Sequence, residues 1–250
     1  MLDRMARDLA AMRAAGQHRD LAIPAGIQLN SNDYLGLSTH PRLKSAIQRA
    51  LEEDDRVCST GSRLLSGNHE RWELVEAEFA KLVGAEAALH FPSGYAANIG
   101  LLSSVLRSGD TVFSDAAGHA SLIDGIRLSR ARKVIFPHLD LNYLEDAMRR
   151  ENSTAEKFVV VESIFSMEGD RAPIDDLLDL CDRHSAWLIV DEAHSTGVGD
   201  PIRRPDRLLA TVHTCGKALA SMGAFVAGSY TLRDFLINRA RTFIFTTALA

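Results

Sequence analysis

Short apolar strands and amphipathic helices alternate along the chain from about residue 85 to residue 220, with short links between them. Such alternation is typical of right-handed βαβ units on a mainly parallel sheet. The most continuous β-branched run extends from Phe158 to Val161, and one helix later the apolar run from Trp187 to Val190 reads as a buried strand. The sequence therefore predicts an α/β fold in which helices flank a mainly parallel sheet.

Composition and charge argue against several kinds of partner. Of the 250 residues 46% are hydrophobic and 24% are charged, and the net charge is −5. The chain thus has no basic surplus to hold phosphodiester backbones or anionic lipid. No apolar run approaches the roughly 20 residues that a membrane helix needs. We therefore expect a cytoplasmic protein that binds neither nucleic acid nor membrane.

The cysteines give no sign of a structural cross-link or a metal. Cys58, Cys181 and Cys215 form no CxxC pair, and their number is odd. Both facts argue against a disulfide framework and against a zinc site. We therefore expect no metal in this protein.

The amino-terminal part differs in pattern from the rest of the chain. Residues 2–15 carry apolar side chains at helical spacing, and a short extended piece is expected from Gly26 to Leu29. Pro41 suits the first turn of a helix that runs to about Glu53. We therefore expect an amino-terminal helix and extended segment over residues 1–40 and one large domain over residues 41–250.

Asp191 and Lys217 each fall just past the end of a predicted strand. Asp191 ends one buried run, and the run from Leu208 to Val212 leads towards Lys217. Because open α/β sheets bind ligands at the carboxyl ends of their strands, we expect both residues on the same edge. A lysine can form a Schiff base with pyridoxal phosphate while a carboxylate keeps its ring nitrogen protonated. The pair can also be a turn cap and a solvated surface lysine.

Three further segments carry weaker signals. A strand, a glycine turn and a helix follow one another around Gly94, and this order leaves free N–H groups that suit an anion. The Gly- and Ser-rich segment 58–68 can wrap a ligand or simply connect two helices. His119, in the loop after the strand from Thr111 to Ser114, can be functional or a surface residue. No GxGxxG and no GxxxxGK[ST] motif occurs, which removes the two commonest nucleotide-binding interpretations.

Seven short motifs occur in order along the chain: SNDYLGLS (31–38), STGSRLLSGN (59–68), FPSGYAAN (91–98), HASL (119–122), ESIFSMEGD (162–170), DEAHSTGVG (191–199) and HTCGKALASMGAFVAGS (213–229). Together they resemble the α-oxoamine synthases, a family of pyridoxal-phosphate enzymes. The resemblance is collinear over nearly the whole chain. It implies a fold-type I pyridoxal-phosphate-dependent transferase, with this chain as the large domain.

The resemblance implies roles for individual residues. Lys217 is the Schiff-base lysine, Asp191 pairs with the pyridine nitrogen, His119 stacks on the cofactor ring, and His194 bonds the phenolic oxygen. These four are the expected catalytic residues. The other implied cofactor contacts are Ser93, Gly94, Tyr95, Ser166 and Thr214, with the phosphate near the glycine turn and Thr214.

Further residues are implied for the substrates and for a second subunit. The resemblance implies a homodimer in which Thr246 or Thr247 reaches the phosphate bound by the neighbouring subunit. It places Asn32 in the loop that binds the amino acid, and His119 also faces the substrate. An arginine near the amino end, Arg13 or Arg19, is implied for the acyl group.

The implied reaction is a decarboxylative condensation of L-alanine with a pimeloyl thioester, carried by coenzyme A or by a carrier protein. A related enzyme that acylates glycine or serine is one alternative. Another is a fragment that binds the cofactor without catalysis. We expect a carboxyl-terminal small domain, which would supply an arginine for the amino acid's carboxylate, to be missing after Ala250.

Overall fold

The computed structural model describes residues 1–54, 57–152, 154–202 and 206–250. It divides the chain into two units, Met1–Ser31 and Asn32–Ala250. In the first unit, helix α1 spans Leu2–Ala14, and the piece expected to be extended after Gly26 forms no strand. The structure groups residues 32–40, which we assigned to the amino-terminal segment, with the second unit.

The second unit contains the predicted alternation of strands and helices. Its elements are α2 (Pro41–Glu53), α3 (Glu70–Val83), β1 (Ala87–Phe91), α4 (Gly94–Val105), β2 (Thr111–Asp115), α5 (Ala120–Ser129), β3 (Arg132–Phe136), α6 (Leu141–Arg150), β4 (Lys157–Glu162), α7 (Ile174–Arg183), β5 (Ala186–Asp191), β6 (Leu208–Thr214), β7 (Ala224–Gly228), α8 (Tyr230–Arg239) and α9 (Arg241–Ile244). A short 3-10 turn, Leu37–Thr39, precedes α2.

One seven-stranded sheet forms the centre of this unit, in the order β1-β7-β6-β5-β4-β2-β3. Neighbouring strands from β6 to β3 pair in parallel, whereas β7 runs antiparallel to both β1 and β6. The predicted mainly parallel α/β sheet is confirmed. The direction of β7 is possible because only the short loop 215–223 separates it from β6, whereas a parallel neighbour needs a long crossover.

Successive side chains of the central strands enter two different cores. In β4, Phe158 and Val160 join the core on the face of α4, α5 and α8, while Val159 and Val161 join the core on the face of α6 and α7. Burial on both faces explains the continuous apolar run, since an exposed face would require polar residues at alternate positions. It also directs the polar chemistry to the ends of the strands.

Local sequence signals fix the helices that border these strand ends. Ser93 precedes α4, and its Oγ accepts a hydrogen bond from the N–H of Ala96 at 3.1 Å. Such a cap satisfies one of the N–H groups that a helix start leaves free. At the other end of a helix, Gly84 closes α3 in a left-handed conformation with φ 75°.

Among the described residues, no helix is both long and apolar enough to span a membrane.

Candidate active site

The carboxyl ends of four strands bring acidic and hydroxyl side chains to one edge of the sheet. The strands β2, β4, β5 and β6 end on Asp115, Glu162, Asp191 and Thr214. Parallel pairing sets Glu162 directly beside Asp191. This is the edge at which open α/β sheets bind ligands.

Asp191 is buried, with 5% of its surface exposed. Its Oδ2 accepts a hydrogen bond from Nδ2 of Asn98 at 2.7 Å, and its Oδ1 accepts one from the N–H of Ala193 at 2.9 Å. Each carboxylate oxygen has two acceptor sites, so both retain capacity for a further donor. Asp191 is therefore held in position without being saturated.

Asn98 connects Asp191 to His119 through a chain of hydrogen bonds. Besides Asp191, its Nδ2 donates to Oγ of Ser121 at 2.9 Å, and that Oγ lies 2.7 Å from Nδ1 of His119. Asn98 is 2% exposed, and its Oδ1 has no partner among the described residues. Buried polar atoms are rarely left without a partner, and this oxygen therefore has acceptor capacity for a further donor close to Asp191.

Glu162 lies beneath the loop that carries His119. Its Oε1 accepts from the N–H of His119 at 2.7 Å and its Oε2 accepts from the N–H of Ser166 at 3.2 Å. Burial, reinforced by the nearby charge of Asp191, raises the pKa of Glu162 to about 7. Glu162 thus fixes the backbone of two predicted site residues and exchanges a proton near neutral pH.

Lys217 is half-buried in the turn after β6, and its Nζ lies 2.6 Å from Nε2 of His194. Burial lowers the pKa of Lys217, although Asp191 and Glu162 act in the opposite direction. The pKa of His194 is also lowered, by burial and by the neighbouring ammonium of Lys217. A neutral imidazole can therefore accept a hydrogen bond from the lysine.

Tyr34 extends this contact towards Asn32. Its hydroxyl donates to Oδ1 of Asn32 at 3.1 Å and lies 2.7 Å from Nδ1 of His194. The single hydroxyl proton can serve Asn32 while the contact to His194 is kept when Nδ1 of His194 carries the proton and donates to Tyr34. Nε2 is then the free acceptor that faces Lys217, which is consistent with the geometry above.

The start of α4 lies against the end of β6. A Cβ atom built on Gly94 would be 3.2 Å from Oγ1 of Thr214, tighter than most side-chain contacts. The first N–H groups of α4, from Gly94 and Tyr95, precede its intrahelical bonds and carry the positive end of the helix dipole. Tyr95 itself is exposed and donates through its hydroxyl to Asp124. This corner has the features of an anion site.

Most of the predicted site residues meet at this edge. They are Asn32, Ser93, Gly94, Tyr95, His119, Ser166, Asp191, His194, Thr214 and Lys217. Thr246 and Thr247 instead follow α9, beside Ala248, whose N–H donates to the carbonyl of Gly61 at 3.1 Å. Arg19 lies in the first unit, in an exposed irregular segment, and Arg13 lies in α1. The roles of these four residues remain predictions.

Sequence reasoning missed Tyr34, Asn98 and Glu162 as members of the site. Each belongs to a motif that was recognised, so the signal was present but its geometry was not. Glu162 ends β4 as Asp191 ends β5, and the parallel register alone could have found it. Asn98 follows Gly94 by four residues and therefore shares its helix face.

The fold is that of the fold-type I pyridoxal-phosphate-dependent transferases. The model of the aminotransferase class I and II family matches residues 24–250. The chain belongs to this family.

Within this family, the chain is similar to two kinds of named protein. The 8-amino-7-oxononanoate synthase of Anaeromyxobacter sp. is 44% identical over 99% of this chain and 67% of its own length. A structure of serine palmitoyltransferase from S. paucimobilis, with a bound adduct of pyridoxal phosphate and myriocin, is 27% identical with a TM-score of 0.86, over 99% of this chain and 70% of that one. The 8-amino-7-oxononanoate synthase structure from Francisella tularensis is 32% identical with a TM-score of 0.74, over 89% and 64%. The chain spans about two thirds of the length of the curated relatives it matches.

Proposed function

We propose that this chain binds pyridoxal 5'-phosphate at the edge formed by β4, β5 and β6, with Lys217 as the point of attachment. The main support for the proposal is that Lys217, after β6, lies close enough to Asp191, at the end of β5, for the two charges to interact. Among the described residues, the hydrogen-bond partner of the amine is a histidine nitrogen 2.6 Å away and not a carboxylate. An amine in that setting is available as a nucleophile once it loses its proton.

The residues present fit this cofactor at both of its charged ends. The close approach of Gly94 to Thr214 keeps the start of α4 free of side-chain bulk, as a phosphate requires. Gly94, Tyr95, Ser93 and Thr214 would hold the phosphate. Asp191, which keeps unused acceptor capacity in a buried setting, would pair with the ring nitrogen.

The remaining residues would orient the ring. His119 would stack on it, His194 would form a hydrogen bond with its phenolic oxygen, and Ser166 would contribute a further hydrogen bond. The backbone of His119 is already fixed by Glu162, which reduces the ordering that binding requires.

Bound pyridoxal phosphate supplies an electron sink for the pair left when a bond at the Cα of an amino acid breaks. The protein supplies the proton transfer. Lys217, whose pKa is lowered by burial, would take the Cα proton of the substrate and return a proton later. Asp191 would stabilise the positive charge on the ring nitrogen, and Asn98 would hold Asp191 in place.

We propose that the reaction is the condensation of L-alanine with pimeloyl-CoA or pimeloyl-carrier protein, with loss of carbon dioxide, to give 8-amino-7-oxononanoate. Support comes from the relatives named for this product, which are 38–46% identical over nearly the whole of this chain. Asn32 would meet the amino acid, and Arg19 or Arg13 the acyl substrate. We also propose that the protein works in the cytoplasm as a homodimer in which Thr246 or Thr247 contacts the neighbouring subunit's phosphate.

A related acyltransferase acting on glycine or serine is the second candidate. It is favoured by the TM-score of 0.86 to a serine palmitoyltransferase, but that protein is only 27% identical. A chain that binds the cofactor without catalysis is the candidate of another class. The three candidates predict different outcomes in one experiment.

The experiment mixes purified protein with pyridoxal phosphate and then with borohydride. We expect a visible absorption band and, after reduction, a modified peptide that contains Lys217. Lys217→Ala should show neither, while Lys81→Ala, a change of an exposed lysine on α3, should match the parent. A parent chain that remains colourless with added cofactor would disprove cofactor binding.

The same preparation then receives amino acid and thioester in matched pairs. Release of coenzyme A thiol that depends on L-alanine and pimeloyl-CoA supports the proposed reaction. Faster release with glycine and acetyl-CoA, or with serine and palmitoyl-CoA, would support the related acyltransferase instead. Cofactor attachment without any release would leave this chain as a binding protein.

A further inference from the structure

His138 lies just past β3, outside the set of residues that the proposed function uses, and it contacts two carboxylates. Its Nδ1 is 2.8 Å from Oδ1 of Asp115, at the end of β2, and its Nε2 is 3.0 Å from Oδ2 of Asp170. The ring also packs edge-on against Phe165, with 4.4 Å between the centroids. One imidazole thus joins segments that follow three different strands.

Asp115 organises the loop that leads to His119. Its side chain is fully buried, and Oδ1 also accepts from the N–H of Ala117 at 2.8 Å. Its Oδ2 accepts from the N–H of Leu139 at 3.0 Å. Leu139 has φ 56°, a strained conformation for a residue with a branched side chain that persists only where surrounding contacts impose it. The turn after β3 is therefore built to present His138 to Asp115.

Asp170 belongs to a hairpin over residues 163–172 that borders the site. The hairpin is closed by backbone bonds from Phe165 to Asp170 and from Ala172 to Ser163, at 3.0 and 3.1 Å. At its base, Ser163 donates to the carbonyl of Asp191 at 2.9 Å. Ser166, within it, donates to Glu162. A shift of the hairpin would therefore move groups on both sides of Asp191.

The two bonds of His138 set a condition on its protonation. Ionised carboxylates only accept hydrogen bonds, so the ring can satisfy Asp115 and Asp170 together only when both nitrogens carry protons. The charged groups that face the ring are Asp115 from β2 and Asp170 from the hairpin, and Phe165 is apolar. Partial burial lowers the pKa of His138, but the hydrogen bonds to Asp115 and Asp170 outweigh it and raise the pKa above 6.5.

We propose that His138, in its doubly protonated form, is a positioning residue that ties the loop of His119 to the hairpin of Ser166. The assignment of these two loops to a cofactor site rests on the proposed function, whereas the tie itself does not. When the ring loses one proton, the bond to Asp115 is retained, because Asp115 is fully buried and cannot replace a lost donor with water, whereas the Asp170 side chain is 43% exposed. The bond to exposed Asp170 then opens and the hairpin loosens.

The sign of the pH effect follows from the raised pKa. The stabilisation is complete below the pKa of the unfolded chain, about 6.5, and is lost as pH rises through the folded value. We expect the hairpin to be most protected near pH 6 and less protected near pH 8.5. The effect should be local because only one of the bonds that close the hairpin depends on the ring.

Hydrogen exchange of the peptide over residues 163–172 tests this in the chain without added cofactor. Protection factors are compared at pH 6 and pH 8.5 for the parent, His138→Gln, Asp170→Ala and the double variant. We expect each single variant to lower protection several-fold at pH 6 and to remove the loss of protection between pH 6 and pH 8.5 that depends on the ring. The titration of Glu162, which accepts from the N–H of Ser166, remains in every variant. The double variant should lose no more than either single variant, because both remove the same contact. His184→Gln, at the end of α7, is the matched control and should behave as the parent.

Parent-like protection of Asp170→Ala at pH 6 would overturn the proposal, even if His138→Gln fails to fold. Equal protection of the parent's hairpin at pH 6 and pH 8.5 would show that the tie does not need the doubly protonated form of His138. A hairpin that loosens as expected, in a chain that takes up no pyridoxal phosphate, would support His138 and reject the proposed function. The two proposals therefore fail separately.

Discussion

Asp191 and Glu76 are both buried carboxylates, with 5% and 2% of their surfaces exposed, but the donors around them differ. Glu76 accepts from Nη1 and Nη2 of Arg63 at 2.7 and 3.3 Å, from the N–H of His90 at 2.9 Å, and from Nη2 of Arg233 at 3.2 Å. Two fixed cations therefore face one carboxylate on α3.

Asp191, in contrast, has two N–H donors among the described contacts, and neither is charged. A saturated carboxylate holds protein segments together, here the segment of Arg63, strand β1 and helix α8. An unsaturated one, beside a half-buried lysine and an amide oxygen without a partner among the described residues, can accept a further donor, as the proposed function requires. The number of donors therefore distinguishes the two buried carboxylates more clearly than burial does.

The largest loss of stability should come from Glu76→Gln. The change leaves Arg63 and Arg233 without their shared counter-charge, and breaking a buried pair in this way lowers the free energy of unfolding by about 3–5 kcal/mol. Urea unfolding measures it. Glu73→Gln, an exposed change one turn earlier on α3, should shift the free energy by less than about 0.5 kcal/mol. Equal effects of the two changes on the free energy of unfolding would show that Glu76 has no special structural role.

Asp191→Asn should have the opposite effect, a large loss of catalysis with only a small loss of stability. It keeps the shape of the side chain but removes its negative charge, so we expect exchange of the alanine Cα proton in the cofactor-loaded chain to fall roughly 10²–10³-fold. The free energy of unfolding should change by no more than about 1 kcal/mol. NMR of alanine in deuterated water gives the exchange rate. A rate within a few-fold of the parent would mean that another group supports the ring nitrogen.

The expected effect of Glu162 is smaller than those of Glu76 and Asp191, and it is measured by the pH dependence of the free energy of unfolding. Burial and Asp191 raise its pKa from 4.5 to about 7, so the folded chain holds this proton more tightly than the unfolded chain. The free energy of unfolding should therefore fall as pH rises from 4.5 to 7, by roughly 2–3 kcal/mol for this group, and level off above. Glu192, whose pKa burial also raises to about 7, acts in the same window. Urea unfolding at several pH values should show that Glu162→Gln removes about half of the fall. An unchanged slope would contradict the raised pKa.

The smallest effect is expected from Asn98→Ala. The change removes one hydrogen bond to Asp191 and one to Ser121, which corresponds to about 1–2 kcal/mol in cofactor binding. Fluorescence titration with pyridoxal phosphate measures this affinity. Asn238→Ala, an exposed change on α8, is the control and should bind as the parent. Affinity that is unchanged in Asn98→Ala would show that Asp191 does not need this support.

The fold was largely predictable because its signals are local. Helix α2 begins at Pro41 and ends at Glu53 as expected, and the core strands were identified by apolar runs of the right length. Asp191 and Lys217 were found because a polar residue after a buried strand is itself a pattern. The antiparallel direction of β7 carries no such signal, since the same apolar run fits either direction.

The contacts that distinguish Glu76 from Asp191 could not be predicted in this way. Glu76 stands in an amphipathic helix, where a glutamate normally faces solvent, and Arg63 stands in a segment that composition describes only as a loop. Their bond joins positions 13 residues apart through the packing of α3 on the sheet. Asn98 gives the same lesson, because its link to Asp191 spans 93 residues. Only the assembled sheet brings such pairs together.

The sheet also separates two hydrophobic cores, so that a loss of packing in one does not reach the other. Leu101 contributes to the core on one face and Leu177 to the core on the other, and these cores have no buried side chain in common. Losses of packing on opposite faces should therefore add, whereas two losses within one core should couple through a shared cavity. Changes of packing in these two cores can thus accumulate independently of each other.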